Sequence, residues 1–81
     1  RKTHLPEGFL GVHFSDNIMV INTLPGYASG IALAIDQAGI PELLGTIAGD
    51  DTIFAVLKEN VTKEEIKTVL GKTFPFFRNK I

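Results

Sequence analysis

Two adjacent aspartates, Asp50 and Asp51, are the residues of this chain whose type and spacing best suit a binding site. They follow Gly49 between two apolar segments, Leu43 to Ala48 and Thr52 to Leu57, and this arrangement is typical of a tight β-hairpin turn. One Asp is common in such a turn, because its side chain can hydrogen-bond nearby backbone. A second Asp beside it adds charge repulsion that a bound cation would relieve. The pair is therefore either a solvated acidic turn or a site for a guanidinium, an ammonium or a metal ion.

Length and composition narrow the class of protein. The chain has 81 residues, 44% of them hydrophobic, and no cysteine, so neither disulfides nor thiolate metal sites can stabilise it. Its formal net charge is -1, and no run of Lys or Arg is long enough to follow a phosphate backbone. No apolar run approaches the length of a membrane span. We expect one small domain that does not bind nucleic acid by itself.

Hydrophobic patterning predicts six elements, in the order strand, strand, helix, strand, strand, helix. The β-rich segments 9–14 and 17–23 form a first hairpin, and the segments around the two aspartates form a second. Pro25 opens a helix from about Gly26 to Ala38, which Gly39 ends. The buried stripe predicted for this helix is Tyr27, Ile31, Ala34, Ile35 and Ala38.

The second helix begins at a capping box, in which Thr62 is the N-cap and Glu65 reaches back to its backbone. Gly71 is expected to end it. The tail that follows is apolar, and we expect it to fold back onto the domain or onto a neighbour. Its aromatic residues are Phe74, Phe76 and Phe77.

The predicted strands are apolar on both faces, which has a consequence for assembly. The expected fold is an α+β two-layer sandwich, in which a four-stranded antiparallel sheet carries two helices on one face. Two helices can cover only one face of that sheet, so another subunit must cover the second face. Apolar burial contributes roughly 25 cal/mol per Å², which favours association by several kcal/mol before entropy losses are subtracted.

A longer motif surrounds the aspartate pair. Gly45 to Thr52, which reads Gly-Thr-Ile-Ala-Gly-Asp-Asp-Thr, resembles the signature of the arginine repressor C-terminal domain. The resemblance extends to the segment Thr23 to Ala28, and to Asp36 at the family's spacing. It implies a hexamer of two stacked trimers, with L-arginine bound between the trimers as co-repressor. It also implies an N-terminal winged-helix domain that binds operator DNA, and these residues show no such domain.

The resemblance also implies which residues bind L-arginine. Asp50 and Asp51 would accept hydrogen bonds from the guanidinium, and Asp36 would meet the α-ammonium. Ser29 departs from the family pattern, because many members carry a longer Gln, Asn or His at that position. The implied contacts are Ala28, Ser29, Asp36, Thr46, Ala48, Asp50 and Asp51.

On this interpretation residues 1–8 are an arm from a DNA-binding domain, and residues 9–81 are the arginine-binding and oligomerisation domain. The expected protein is a cytoplasmic repressor that regulates arginine metabolism and needs no metal or cofactor. Two other interpretations remain open. The chain could be an oligomerisation module that has lost arginine sensing, and the short side chain of Ser29 keeps this interpretation open. It could also be an enzyme, although no nucleophile, His base or cofactor loop converges on the carboxylates.

Overall fold

A computed structural model describes residues 8–75 and residue 77. The six elements follow one another in the predicted order. They are β1 (Phe9–Ser15), β2 (Ile18–Thr23), α1 (Ala28–Gln37), β3 (Leu43–Ala48), β4 (Thr52–Leu57) and α2 (Lys63–Thr73). The arm predicted for residues 1–8 lies outside the described residues, apart from Gly8. None of the described helices is long and apolar enough to cross a membrane.

The four strands form one antiparallel sheet in the order β1-β2-β4-β3. Each predicted hairpin pairs its own two strands, and the β2–β4 pairing joins the two hairpins at the centre of the sheet. The acidic turn therefore lies at the tip of the β3–β4 hairpin, between a central strand and an edge strand. The expected α+β two-layer sandwich is confirmed.

The hydrophobic core lies between the sheet and the two helices. The buried side chains of the sheet alternate along β2 and β4, as they must when one face of a strand packs on helices. Both helices cover this same face. The buried residues of the central strands and helices are Met19, Ile21, Ile53, Ala55, Leu57, Ala28, Ile31, Ala32, Ile35, Ile66 and Leu70.

The apolar tail after α2 contributes to the core. Phe77 is fully buried and stacks on Phe9 of β1, with ring centroids 4.2 Å apart and an interplanar angle of 12°. Phe74 is half-buried and packs against the same cluster. The prediction that this tail folds back is confirmed for these residues, whereas Phe76 lies outside the described residues.

The first helix begins later than predicted, at Ala28 instead of Gly26. Gly26 has a φ of 86°, which is not helical, and its N–H donates to the Asp50 carbonyl at 2.9 Å. The buried stripe is also rotated, because Ala28 and Ala32 pack on the sheet while Tyr27 is 43% exposed. The predicted cap at Gly39 is confirmed by its φ of 64°.

The second helix has the predicted start and a different end. The Thr62 hydroxyl accepts from the Glu65 N–H at 3.1 Å, and the Glu65 carboxylate accepts from the Thr62 N–H at 2.8 Å. This capping box is confirmed. The helix continues through Gly71, which is buried, and ends at Thr73. The prediction that Gly71 ends it is wrong, because the helical backbone continues through this buried position for two more residues.

The sheet face away from the helices, here called the outer face, is apolar and open. Cross-strand pairing places Val20 opposite Phe54 and Ile47 opposite Phe54 on this face. Ile47 is 76% exposed and Phe54 is 53% exposed. Leu44, also on β3, is 68% exposed. Since large exposed apolar patches mark association surfaces, the outer face agrees with the predicted need for a second subunit.

Candidate functional site

The acidic turn has a tight, hydrogen-bonded backbone, and its side chains are exposed to solvent. The Gly49 N–H donates to the Thr52 carbonyl at 2.7 Å and closes the hairpin between β3 and β4. Asp50 and Asp51 lie at the tip and are both exposed. The two carboxylates are therefore accessible to a ligand that approaches from outside this subunit.

The tip is also fixed to the loop that precedes α1. The Asp50 carbonyl accepts from the Gly26 N–H at 2.9 Å and from the Ala28 N–H at 3.3 Å. The Asp51 carbonyl accepts from the Thr23 N–H at 2.9 Å. Because these bonds use the aspartate backbone, the hairpin tip and the start of α1 form one hydrogen-bonded unit. None of these backbone bonds uses a carboxylate oxygen.

The third predicted carboxylate, that of Asp36, lies near the end of α1 and is held by Thr46 of β3. The Thr46 hydroxyl lies 3.0 Å from Oδ1 and 3.1 Å from Oδ2 of Asp36. A hydroxyl has one proton, so the two carboxylate oxygens share it. The resemblance made both residues ligand contacts, and the structure brings them together across the α1–β3 contact.

A second threonine holds one of the hairpin carboxylates. The Thr52 hydroxyl donates to Oδ1 of Asp51 at 3.0 Å. Sequence reasoning did not assign Thr52 to the site, although a hydroxyl beside an Asp in a turn is a recognised local hydrogen-bonding signal. By contrast, the Asp50 carboxylate accepts no hydrogen bond within the part of the chain that the structure describes.

The remaining predicted residues lie beside these groups. Ala28 is the first residue of α1 and is fully buried, so only its backbone and its small size can shape the site. Ser29 follows it and is exposed. Ala48 ends β3, is half-buried and lies opposite Ile53 of β4. All seven predicted residues thus lie on α1 and on the β3–β4 hairpin against which α1 packs.

The surface around the site is divided into shallow depressions. One is lined by Asp36 together with the loop between α1 and β3 and the start of β3. Another is lined by Ala48, Gly49 and Thr52 with Ile47 and Phe54 of the outer face. Each depression contains part of the predicted ligand set. A single subunit therefore has separate depressions beside its β3–β4 hairpin, each lined by some of the predicted ligand contacts.

The site carries negative charge that the described residues of this subunit do not neutralise. Among residues 8–75 and 77, no Lys or Arg forms an ion pair with Asp36, Asp50 or Asp51. In the same residues, no three His, Cys, Asp or Glu side chains are grouped as a metal site. The arrangement suits a ligand that brings its own positive charge and several N–H donors.

Comparison with known proteins decides the family. The family model described as "Arginine repressor, C-terminal domain" matches residues 5–72. This chain belongs to the arginine repressor C-terminal domain family. The members are transcriptional regulators and not enzymes, so the enzyme interpretation is set aside.

Individual arginine repressors resemble this chain over most of its length. The arginine repressor of Phocaeicola vulgatus is 48% identical over 69 residues, which are 85% of this chain and 44% of that protein. The arginine repressor of Bacteroides thetaiotaomicron is 50% identical over the same shares of each chain. That of Symbiobacterium thermophilum is 54% identical over 52 residues, which are 64% of this chain and 35% of that protein. The chain thus spans less than half the length of these relatives.

Proposed function

We propose that this chain is the effector-binding and oligomerisation domain of an arginine-responsive transcriptional repressor. L-arginine binds at the acidic hairpin, between subunits. The observation that carries this proposal is the fixed backbone and the exposed, unneutralised carboxylates of Asp50 and Asp51. Their backbone is fixed by hydrogen bonds to the loop before α1, and their carboxylates are exposed with no cationic partner in the described residues.

The chemistry of the three carboxylates matches the two cationic ends of arginine. The guanidinium presents N–H donors in a planar fork, and a carboxylate accepts two of them in parallel. Asp50 and Asp51 take this end, and one of them can come from a neighbouring subunit. The α-ammonium is a compact charge, which Asp36 and its Thr46 partner receive. Ala48 leaves room for the ligand because its side chain is small, and Ala28, whose side chain lies in the core, contributes through its backbone.

The outer face supports the oligomeric part of the proposal. Leu44, Ile47 and Phe54 are each more than half exposed, and they form a continuous apolar surface with the outer-facing residues of β2. A second copy of the chain covers this face and builds a trimer. The depression formed by Ile47, Ala48, Gly49, Thr52 and Phe54 joins this face to the hairpin. Association therefore brings neighbouring subunits to the ligand site.

The regulatory mechanism is thermodynamic linkage. L-arginine that bridges two trimers binds the hexamer and not the separated trimers, so it shifts the assembly equilibrium toward the hexamer by mass action. A winged-helix domain upstream of these residues binds operator DNA in the cytoplasm, and the hexamer holds several such domains in place. Repression of genes for arginine metabolism follows when L-arginine is plentiful. No metal or other cofactor is needed.

The alternative is an oligomerisation module that has lost arginine sensing. Ser29 favours it, because its exposed side chain is shorter than the Gln, Asn or His that the resemblance implies at this position, and so extends less far toward the ligand. The paired carboxylates favour retained binding, because an acidic pair without a ligand would only add repulsion at the hairpin tip.

Calorimetric titration of the 81-residue chain distinguishes these two functions. L-citrulline is the matched control, since it replaces the guanidinium by a neutral urea of similar shape. Saturable binding of L-arginine with much weaker binding of L-citrulline supports the sensor. Binding of neither amino acid contradicts it and supports the bare oligomerisation module.

A further inference from the structure

The three carboxylates of the site differ in how firmly they are held. Asp36 is bound through both oxygens by Thr46, and Asp51 through one oxygen by Thr52. The carboxylate of Asp50 is unrestrained by hydrogen bonds within the described residues. The site therefore combines preset carboxylates with one that can adapt to its ligand.

We propose that Thr52 is a positioning residue that orients the Asp51 carboxylate for a planar guanidinium and so makes the site prefer L-arginine to L-lysine. This inference rests on the proposed function, because it concerns the ligand end assigned to the hairpin. It adds Thr52 to the site as a residue that affects ligand preference indirectly, by orienting Asp51.

The position of the Thr52 hydroxyl is itself well defined. Thr52 is the first residue of β4, it pairs with Asn22 of β2, and its carbonyl accepts from the Gly49 N–H at 2.7 Å. Threonine is branched at Cβ, which restricts its first side-chain torsion. The side chain is half-buried. A hydroxyl on this fixed backbone can hold the neighbouring carboxylate in one orientation.

Asp51 is thereby restrained at both ends. Its carbonyl accepts from the Thr23 N–H at 2.9 Å, and its Oδ1 accepts from the Thr52 hydroxyl at 3.0 Å. Oδ2 and the remaining lone pair of Oδ1 are left for a ligand. A carboxylate that is preset in this way loses less rotational freedom when a ligand binds.

Orientation matters more for one cation than for the other. A guanidinium makes two parallel hydrogen bonds only when the carboxylate lies near its plane, whereas an ammonium is a point charge with rotatable donors. Loss of the Thr52 hydroxyl should therefore weaken the binding of L-arginine more than the binding of L-lysine. A general loosening of the hairpin would lower the affinity for both ligands by the same factor.

The wild-type chain and three variants test the proposal by calorimetric titration with L-arginine and L-lysine. Thr52→Val removes the hydroxyl and keeps the shape, and Thr52→Ser keeps the hydroxyl. Thr68→Val is the matched control, because the Thr68 hydroxyl donates to the Glu64 carbonyl within α2, outside the site. We expect Thr52→Val to lose about three- to tenfold in L-arginine affinity, because the released Asp51 side chain must then be immobilised when the guanidinium binds. Its L-lysine affinity should change by less than about threefold, because an ammonium needs no fixed plane.

The serine variant and the Thr68 control should keep the wild-type ratio of the two affinities. An unchanged L-arginine affinity in Thr52→Val overturns the proposal, and so does an equal loss for both ligands. If the valine variant melts early by circular dichroism, Thr52→Ala repeats the same comparison. Failure of the wild-type chain to bind L-arginine removes the proposed function itself, which is a different outcome from an unaltered ratio in a chain that binds.

Discussion

The Thr46 hydroxyl lies within 3.1 Å of both carboxylate oxygens of Asp36 and links the end of α1 to the middle of β3. The resemblance to arginine repressors made Thr46 a ligand contact, and the hydrogen bond gives it a second role, that of holding Asp36. The two roles are compatible, because the hydroxyl oxygen keeps lone pairs that can accept from an ammonium.

Replacing this hydroxyl should weaken L-arginine binding without unfolding the domain. Thr46→Val removes the ligand contact that the resemblance assigns to this hydroxyl and releases the Asp36 carboxylate, so we expect L-arginine affinity to fall by about tenfold when measured by calorimetry. The bond is exposed in the single subunit, so the free energy of unfolding should change by no more than about 0.5 kcal/mol. Thr73→Val is the control, since its hydroxyl donates to the Val69 carbonyl within α2, outside the site. Equal affinities in the two variants would remove Thr46 from the site.

Removing a charge from the acidic hairpin should lower L-arginine affinity far more than removing a charge from another turn. Asp51→Asn leaves the guanidinium opposite an uncharged amide, and we expect a loss of about 2–5 kcal/mol of L-arginine binding free energy. Asp16→Asn in the β1–β2 turn is the matched control. Asp16 is exposed with a φ of 51°, a conformation that Asn tolerates. Calorimetry that finds the same affinity in both variants would place the ligand elsewhere.

A charge on the outer face should separate the subunits. Ile47 is 76% exposed in the single subunit, so Ile47→Glu should leave the fold intact while it puts a carboxylate into an apolar interface. We expect sedimentation velocity to show monomers where the wild-type chain forms trimers or larger species. Thr68→Glu, on the exposed side of α2, should sediment like the wild type. An Ile47→Glu variant that stays oligomeric would show that another surface joins the subunits.

The chain entering β1 should tolerate no side chain at Gly8. Gly8 has a φ of 91°, and an added Cβ would overlap the ring of Tyr27. We expect Gly8→Ala to lower the free energy of unfolding in urea by about 1–3 kcal/mol through backbone strain. Gly11→Ala is the control, because the space around its Cβ position is open to 4 Å. Equal stabilities of the two variants would mean that the Tyr27 ring can move away at little cost.

Much of the fold could be predicted because local signals agreed with the tertiary structure. The hairpin turns, the Gly39 cap and the Thr62 capping box depend on residues that are near one another in sequence. The errors arose where distant groups intervened. Gly26 is not helical because its N–H bonds to the carbonyl of Asp50, and no local pattern contains that bond.

Helix and strand faces were harder to assign than helix and strand positions. In α1 the small residues Ala28 and Ala32 pack on the sheet, and the larger Tyr27 is turned outward toward Gly8. In β1 an irregularity between Phe9 and Gly11 places Phe9 in the core, against simple alternation. Close packing, and not hydrophobicity alone, decides such positions.

Sequence reasoning proposed the residues of the candidate site but not the contacts among them. The acidic pair was proposed from its turn, and the remaining positions were proposed from the longer motif. The Thr46–Asp36 bond joins residues ten positions apart on different elements, so it required the packing of α1 against β3. The Thr52–Asp51 bond is local and could have been found as a hydroxyl that follows an Asp.

The central claim is that L-arginine joins subunits through the acidic hairpin, and sedimentation of the wild-type chain with and without the ligand tests it most directly. We predict that L-arginine shifts the chain from trimers to hexamers, that L-citrulline does not, and that Asp51→Asn abolishes the shift. A size distribution that is the same with and without saturating L-arginine would contradict the account.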